Sequence, residues 1–399
     1  TSSVTKALEG SVAGVMTTAG SGQPGADAQI RIRGIGSMAS SNSPLYVVDG
    51  VPYDGYISSI NPNDIESMSV LKDAAASSLY GARASNGVVI ITLKKVTKGR
   101  RNIYFKANAG ISQRGLPRYE TVNTQQYMEI AYEQFGSNFM NSLGGEMYNP
   151  YDVPSTELFD AEGNFNKNAK LRWNDDWIDE GARKAALRQE YQLGGSGGAE
   201  NVSYLVSFSY LNEKGFAKTT GFQRYTGFAK VDAKATNWMD AGLSINVSQS
   251  TTDGMYDSGG SAYTNFWYTG LTLAPIYPVY EKDENGQTVV DANGDKVYDY
   301  GNTRPYANNS NAIADMYYNV REQIHDAVTA RSYLKFYTDE DIPFLKDLTG
   351  TINFSADYYS RNTKAWYNPG MASTQARAVR LRSITTVCCR TRSIRCSIM

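Results

Sequence analysis

Long apolar runs are missing from this chain. Mean hydropathy is −0.44, and no stretch approaches the roughly 18 apolar residues that a membrane-crossing helix needs, so a helical membrane protein is excluded. A membrane barrel is not, because its strands show lipid only every second side chain. Cysteine is confined to Cys388, Cys389 and Cys396 near the C-terminus. The rest of the chain is thiol-free, which suits an oxidising envelope compartment. His325 is the single histidine, so no multi-His metal site can be built and a His-based triad would hang on that one residue. Cys388-Cys389 is not a CxxC pair, and Gly34-Ile35-Gly36 lacks the third glycine and following long helix of a dinucleotide site. Nothing argues for catalysis, and no cofactor or metal is implied. Nor is there an excess of one charge: 39 Lys and Arg stand against 40 Asp and Glu, so no nucleic-acid partner is indicated. The chain opens at Thr1 without an initiator Met or apolar leader, so no signal peptide is present in it.

Tyrosine and glycine are abundant, at 29 and 36 residues. Tyrosine favours the two membrane–water boundaries. In the first hundred residues the spacing predicts a mixed α/β unit. Gln29 to Gly34 alternates, with Ile30 and Ile32 opposite Arg31 and Arg33, as in a half-buried strand. LYVVDGVPY, from Leu45 to Tyr53, reads as strand–turn–strand around Asp49-Gly50. Asn61-Pro62-Asn63-Asp64 favours a turn and a helix start. Ser69 to Leu71 reads as a short strand, and Lys72 to Tyr80 as an Ala-rich helix stopped by Gly81. Val88 to Leu93 is nearly all apolar, the mark of a strand covered on both faces.

Beyond residue 100 the pattern changes to long alternation. Ile103, Phe105, Ala107 and Ala109 share one face. Val202, Tyr204, Val206, Phe208 and Tyr210 do the same against serines, with Leu205 interrupting the polar side. Tyr225, Gly227, Ala229 and Val231 oppose Lys230, Asp232 and Lys234. Met239, Ala241, Leu243, Ile245 and Val247 oppose Asp240, Ser244, Asn246 and Ser248. Ile352, Phe354 and Tyr358 oppose Asn353, Ser355 and Asp357, and a weaker case runs from Val328 to Tyr337. A soluble β-sandwich also alternates. Small residues and Tyr on the apolar faces favour a membrane barrel instead. So does the succession of a short link at Asn237-Trp238 with long excursions at 113–190 and 249–327.

The excursions are the natural place for binding residues. In LRWNDDWIDE, Trp173 and Trp177 flank Asp175 and Asp176. Exposed, these indoles would stack on sugar rings while the acids hold hydroxyls; loop packing is the plainer reading. Asn285-Gly286 and Asn293-Gly294 mark tight turns in a protruding hairpin. Asp291, Asn293 and Asp295 alternate like calcium ligands but lack the glycine and distant glutamate of an EF-hand loop.

IRIRG, PLYVVDGVP, DIESMSVLKDAAASSLYG and ASNGVVIIT, in that order and spacing, resemble the plug domain of SusC/RagA-like TonB-dependent outer-membrane transporters. The resemblance implies an α/β plug (1–98) followed by an antiparallel transmembrane β-barrel, of which 99–374 would supply the N-terminal part; the full-length family closes 22 strands. It places the protein in the outer membrane, in contact with its lipid. It implies import of oligosaccharides or peptides, a SusD-like surface lipoprotein as partner, and energy from a TonB–ExbB–ExbD complex whose docking box lies outside this chain. A signalling transducer of the same architecture and a non-functional truncated fragment are the alternatives. Arg31 and Arg33 match the family's IRG region and, with Asp64, Glu66 and Lys72, are the expected polar contacts between plug and wall. Tyr53, Asp54 and Tyr56 in the plug loops, with Trp173 and Trp177, are the expected ligand contacts. From about Gln375 the chain holds six arginines, every cysteine and no acid. Alternation ceases there, and 375–399 reads as an out-of-frame tail.

Overall fold

The computed structural model describes residues 3–10, 12–18, 22–32, 34, 42–53, 55, 57–72, 80–95, 101–113, 120–255, 266–299, 319–337, 349–366 and 382–398, with 82, 255, 266, 269, 319–327, 365–366 and 382–398 described as backbone. Strand β1 (Val15–Thr18) pairs antiparallel with β2 (Gln29–Ile32). Beside them lies a four-stranded sheet in the order β4-β3-β6-β5, built from β3 (Leu45–Val48), β4 (Val51–Tyr53), β5 (Ile65–Leu71) and β6 (Val88–Leu93). The β3–β4 turn has φ of 47° at Asp49 and 80° at Gly50. Two positive values are what a two-residue hairpin matching strand twist requires. The Asp49 carboxylate also accepts the Leu93 backbone N–H at 2.9 Å, pinning the hairpin to β6.

Strand β6 runs parallel to β3 and antiparallel to β5, and both its faces are covered. Val89, Ile91 and Leu93 enter a cluster with Ile30, Ile32, Tyr53 and Ile60. Val88 enters a second cluster with Leu45, Val47 and Ala84. Strand β5 begins at Ile65, earlier than the Ser69 expected, because a bulge between Ile65 and Ser67 breaks the alternation that would have revealed it. The helix expected over 72–80 falls mainly outside the described residues.

The second half is one eight-stranded antiparallel sheet: β7 (Asn102–Ser112), β8 (Ala186–Gly198), β9 (Val202–Lys214), β10 (Gly221–Thr236), β11 (Met239–Met255), β12 (Asn319–Tyr337), β13 (Thr349–Trp366) and β14 (Arg382–Ile398). Every strand pairs with its chain neighbour, and β7 and β14 form the two edges of the sheet as described. No described helix is long and apolar enough to cross a membrane. Short turns at one rim alternate with the long excursions at the other.

Alternation sorts the two faces as expected. Ile103, Phe105, Phe208, Val231, Leu243, Ile245, Val247 and Phe354 are exposed outward, whereas Ser207, Arg224, Thr226, Lys230, Ser244, Ser248 and Arg331 are buried on the inner face. Aromatic rows bracket the outward apolar band. At one edge Tyr191, Tyr210 and Tyr225 stand in register across β8–β10, with successive ring centroids 6.5 and 4.9 Å apart. At the other, Trp238 stacks on Phe336 at 6.2 Å. Along β11 the band runs from Met239 to Gln249; at ~3.3 Å per residue and a tilt of ~40° it spans about 25 Å, the height of a membrane barrel's apolar belt.

Two strands were not legible as such. Gly194, Gly195, Gly197 and Gly198 mask β8, whose first residues fall inside the expected first excursion, since glycine weakens a strand. Cross-strand tyrosines compensate. The Tyr104 ring lies where a Gly194 side chain would be, and Tyr204 does the same at Gly197. Strand β14 falls in the Arg- and Cys-rich tail. Its ladder with β13 is made by backbone groups, which do not need alternating side chains.

If the outward face meets hydrocarbon, Ile245→Arg destabilises the protein folded in lipid vesicles by about 2–4 kcal/mol, and Gln223→Arg, at the band's edge, by less than about 1. Guanidinium unfolding in vesicles measures both; equal costs would remove the membrane band.

Candidate functional site

The inner face of β8–β10 is where the N-terminal unit meets the large sheet, and the contact is built on one short segment. Pro62 starts a 3-10 turn over Pro62–Asp64, and Asn61 caps it by accepting the Asn63 N–H at 3.0 Å. This fixes three polar side chains in a row. Asn61 donates to Ser209 Oγ at 2.8 Å, and Asn63 to Glu190 Oε1 at 2.7 Å. Asp64 accepts from Ser207 Oγ at 2.8 Å and Gln192 Nε2 at 3.1 Å. Arg224, fully buried, donates to the carbonyls of Ser58 and Ile60 at 2.8 and 3.4 Å. Lys94 donates to the Asn63 carbonyl.

Apolar contact accompanies these bonds. Leu205 and Phe228 project from the sheet into the N-terminal core, and the Leu205 that interrupts a polar face in the sequence is thereby explained. A fully buried Leu or Phe contributes roughly 1.5–3 kcal/mol, comparable to two or three hydrogen bonds at ~1 kcal/mol each.

Burial holds the Asp64 carboxyl above its ordinary value. The hydrogen bond from Ser207, the charges of Lys94 and Arg224, and the Gln192 amide draw it part of the way back. A second contact lies at β12–β13. There the Arg331 guanidinium sits 5.8 Å from the Tyr53 ring centroid and 3.5 Å from Asp357. The N-terminal segment makes a third, Gln23 donating to the Asp253 carbonyl at 2.7 Å.

Of the expected plug–wall residues, the structure brings Asp64 to the wall. Arg31 is half-buried and bonds to Gln29 on its own strand, Glu66 is exposed on β5, and Lys72 donates to the Ala13 carbonyl within the N-terminal unit. Arg33 lies outside the described residues. Arg224, Gln192, Glu190 and Ser207 were not singled out from sequence. Their signal was present as polar residues on the inward parity of β8–β10, but parity does not say which of them meets a partner.

The expected ligand contacts divide in the same way. Asp54 and Tyr56 lie outside the described residues. Tyr53 is buried, its hydroxyl hydrogen-bonded to Ser59 at 2.8 Å, and burial above all pushes its phenol up to about 12. Trp173 and Trp177 are 6% and 4% exposed, as the plainer loop-packing reading has it, and their faces are not open for the stacking on sugar rings that exposed indoles would provide. Each indole N–H needs an acceptor when buried, and they find the carbonyls of Ile276 and Tyr277, both at 3.0 Å. The acids between them are engaged too. Asp175 accepts the Val279 N–H and pairs with Lys282, while Asp176 caps the short helix Trp177–Gly181. The motif therefore stitches the first excursion to the second, and the two share one core around Met128, Phe139, Leu158, Phe159, Ile276 and Tyr277.

The Asn-Gly pairs form the expected turns. In each, an aspartate accepts backbone N–H groups: Asp283 from Asn285 and Gln287, Asp291 from Asn293 and Asp295. The same turn recurs at Asp160, which accepts from Asn164. Among the described residues no cluster of metal-ligating side chains occurs. The Asp291 carboxyl is held below its ordinary value by the backbone N–H groups it accepts.

Residues 1–88 match the family model of the TonB-dependent Receptor Plug Domain. The chain is 30% identical over 288 residues to the TonB-dependent receptor SusC of Bacteroides thetaiotaomicron, covering 69% of this chain and 25% of that protein. It is 31% identical over 342 residues to the TonB-dependent receptor P26 of Formosa agariphila, covering 85% and 30% respectively. The structure of the RagAB peptide importer in its closed-closed state superposes with a TM-score of 0.67 at 27% identity, over 92% of this chain and 40% of that one. The chain thus spans 25% and 30% of the length of those two curated relatives.

Two outcomes follow from the geometry. Trp177→Ala leaves a cavity at the junction of the excursions and costs about 3–5 kcal/mol locally; faster amide exchange over 266–280 is the expected reading, and unchanged exchange would show that the indole does not hold the loops. For Asp64 the folded carboxyl value is raised, so the docked state binds the proton more tightly than the undocked one. Docking therefore strengthens as pH falls from neutral toward the ordinary carboxylate range, and weakens as pH rises through the raised value. Protease release of the N-terminal unit slows on acidification in the native chain, and that dependence is lost in Asp64→Asn.

Proposed function

The chain is a SusC/RagA-like TonB-dependent receptor chain of the outer membrane, and from that premise we propose that it serves TonB-driven import of oligosaccharides or peptides across that membrane. The observation that carries this reading is the way the plug is held. A few directional bonds from Asn61, Asn63, Asp64 and Arg224, with Leu205 and Phe228, dock it to the wall. At about 1 kcal/mol per bond, such a contact closes the lumen at rest and yields to a pull on the plug without unfolding the strands around it.

The partners that complete the mechanism are a SusD-like surface lipoprotein and a TonB–ExbB–ExbD complex. The two excursions, packed into one body at the long-loop rim, offer the lipoprotein a preformed platform. Of the residues expected to touch ligand, Asp54 and Tyr56 remain the proposed contacts, while the buried Tyr53, Trp173 and Trp177 support the surfaces around them. The relatives are receptors and transporters, and no catalytic step is proposed. Peptide import is named for the RagAB structure and enters here as one of two cargo classes.

Uptake of labelled oligosaccharides and labelled peptides of matched size, in producing cells with and without TonB, tests the reading. Accumulation of one class that disappears without TonB is expected. Uptake of neither class, or uptake indifferent to TonB, would overturn it.

A further inference from the structure

The outward face of β8–β11 is not evenly filled. Around Gly227 a hollow of about 670 Å³ opens toward the membrane, walled by Phe105, Leu193, Phe208, Tyr225, Ala229 and Val247. Gly227 forms its floor. A Cβ at that position would rest 3.5 Å from the Phe208 ring, an ordinary contact, and Gly227 is not among the glycines with positive φ. Neither the backbone nor a neighbouring side chain calls for glycine here; what its absence of side chain provides is space.

The groups above the hollow change polarity in steps. Tyr191, Tyr210 and Tyr225 form the first row, in register across three strands. Gln189, Asn212 and Gln223 form the next outward row, again in register. The first charged outward side chains, Lys214 and Asp253, flank Gly221 one row further. Moving out of the hydrocarbon, the surface therefore presents an apolar hollow, phenols, carboxamides and only then charge. Phosphate-directed lipid sites are built from clustered Lys and Arg, and this one is not. Phenols and carboxamides both donate and accept hydrogen bonds, so they suit a lipid whose interfacial region does the same.

We propose that this hollow is a binding site for one membrane lipid, its acyl chain lying over Gly227 and its uncharged interfacial groups, a carbonyl together with an amide N–H or hydroxyl, hydrogen-bonded to the Tyr and amide rows. The site is independent of what the receptor carries through its lumen.

Native mass spectrometry of the full receptor from nanodiscs tests this with two lipids that share a phosphocholine headgroup and chain length. One is sphingomyelin, with an amide and a hydroxyl at the interface; the other is a diester phosphatidylcholine. The native chain is expected to retain one sphingomyelin with a preference of about fivefold or more, the equivalent of one net hydrogen bond. Gly227→Phe fills the hollow and is expected to abolish retention. Asn212→Leu with Gln223→Leu is expected to keep a lipid but lose the preference. Heat-modifiable migration in detergent gels confirms that each variant is folded. Equal retention of the two lipids by the native chain, no retained lipid, or retention unchanged by Gly227→Phe would each overturn the proposal.

Discussion

Hydrocarbon offers no hydrogen bonds, and that constraint governs the whole chain. Every backbone N–H and C=O at membrane depth must find a partner within the sheet, and each strand can be apolar on one side only if it is polar on the other. The long ladders meet the first demand for the strands that lie between the edges β7 and β14. The outward rows of Ile, Val, Phe and Tyr and the inward rows of Ser, Thr, Lys and Arg meet the second. An inward polar face then needs a cover of its own, and the N-terminal unit supplies it.

That cover is held by a different logic from the one that holds a core. Val88, Val89 and Ile91 make the plug's own sheet by continuous burial. Its contact with the wall rests on Asp64, Asn61, Asn63 and Arg224, with two apolar anchors. A buried carboxylate costs free energy unless it is bonded, so Asp64 costs least where Ser207 and Gln192 reach it and more in any other docked position. Directional bonds of this sort define one docked position. They are also lost together when the surfaces separate by little more than an ångström. The excursions above combine both means: a shared apolar core joins them, and two indole N–H groups and one aspartate fix its edge.

Much of this was legible. Asp49-Gly50 announced its hairpin because few dipeptides accept two positive φ values, and Val88 to Leu93 announced a doubly covered strand by being apolar throughout. The alternation of β9, β10 and β11 sorted inside from outside. Asp64 was legible as a plug–wall contact only through family resemblance. What was hidden had physical reasons. Glycines masked β8, whose missing surface is supplied by Tyr104 and Tyr204 from neighbouring strands. A bulge masked the start of β5. Trp173 and Trp177 carry a polar tip on an apolar body, which suits a ligand platform and a loop clasp equally, and only the position of two backbone carbonyls far along the chain decides between them. Arg224 was hidden because its partners, the carbonyls of Ser58 and Ile60, have no side-chain identity.

The central claim is that a small polar network docks plug to wall separately from the stability of either part. A double-mutant cycle on plug release, with Asp64→Ala, Ser207→Ala and both together in the full receptor, tests it most directly. Residues in one hydrogen-bonded network couple by roughly 0.5–3 kcal/mol, so a coupling of about 1 kcal/mol or more between Asp64 and Ser207 is predicted, with the thermal unfolding of the barrel unchanged. Strictly additive effects, or a barrel whose unfolding shifts in step with plug release, would contradict it.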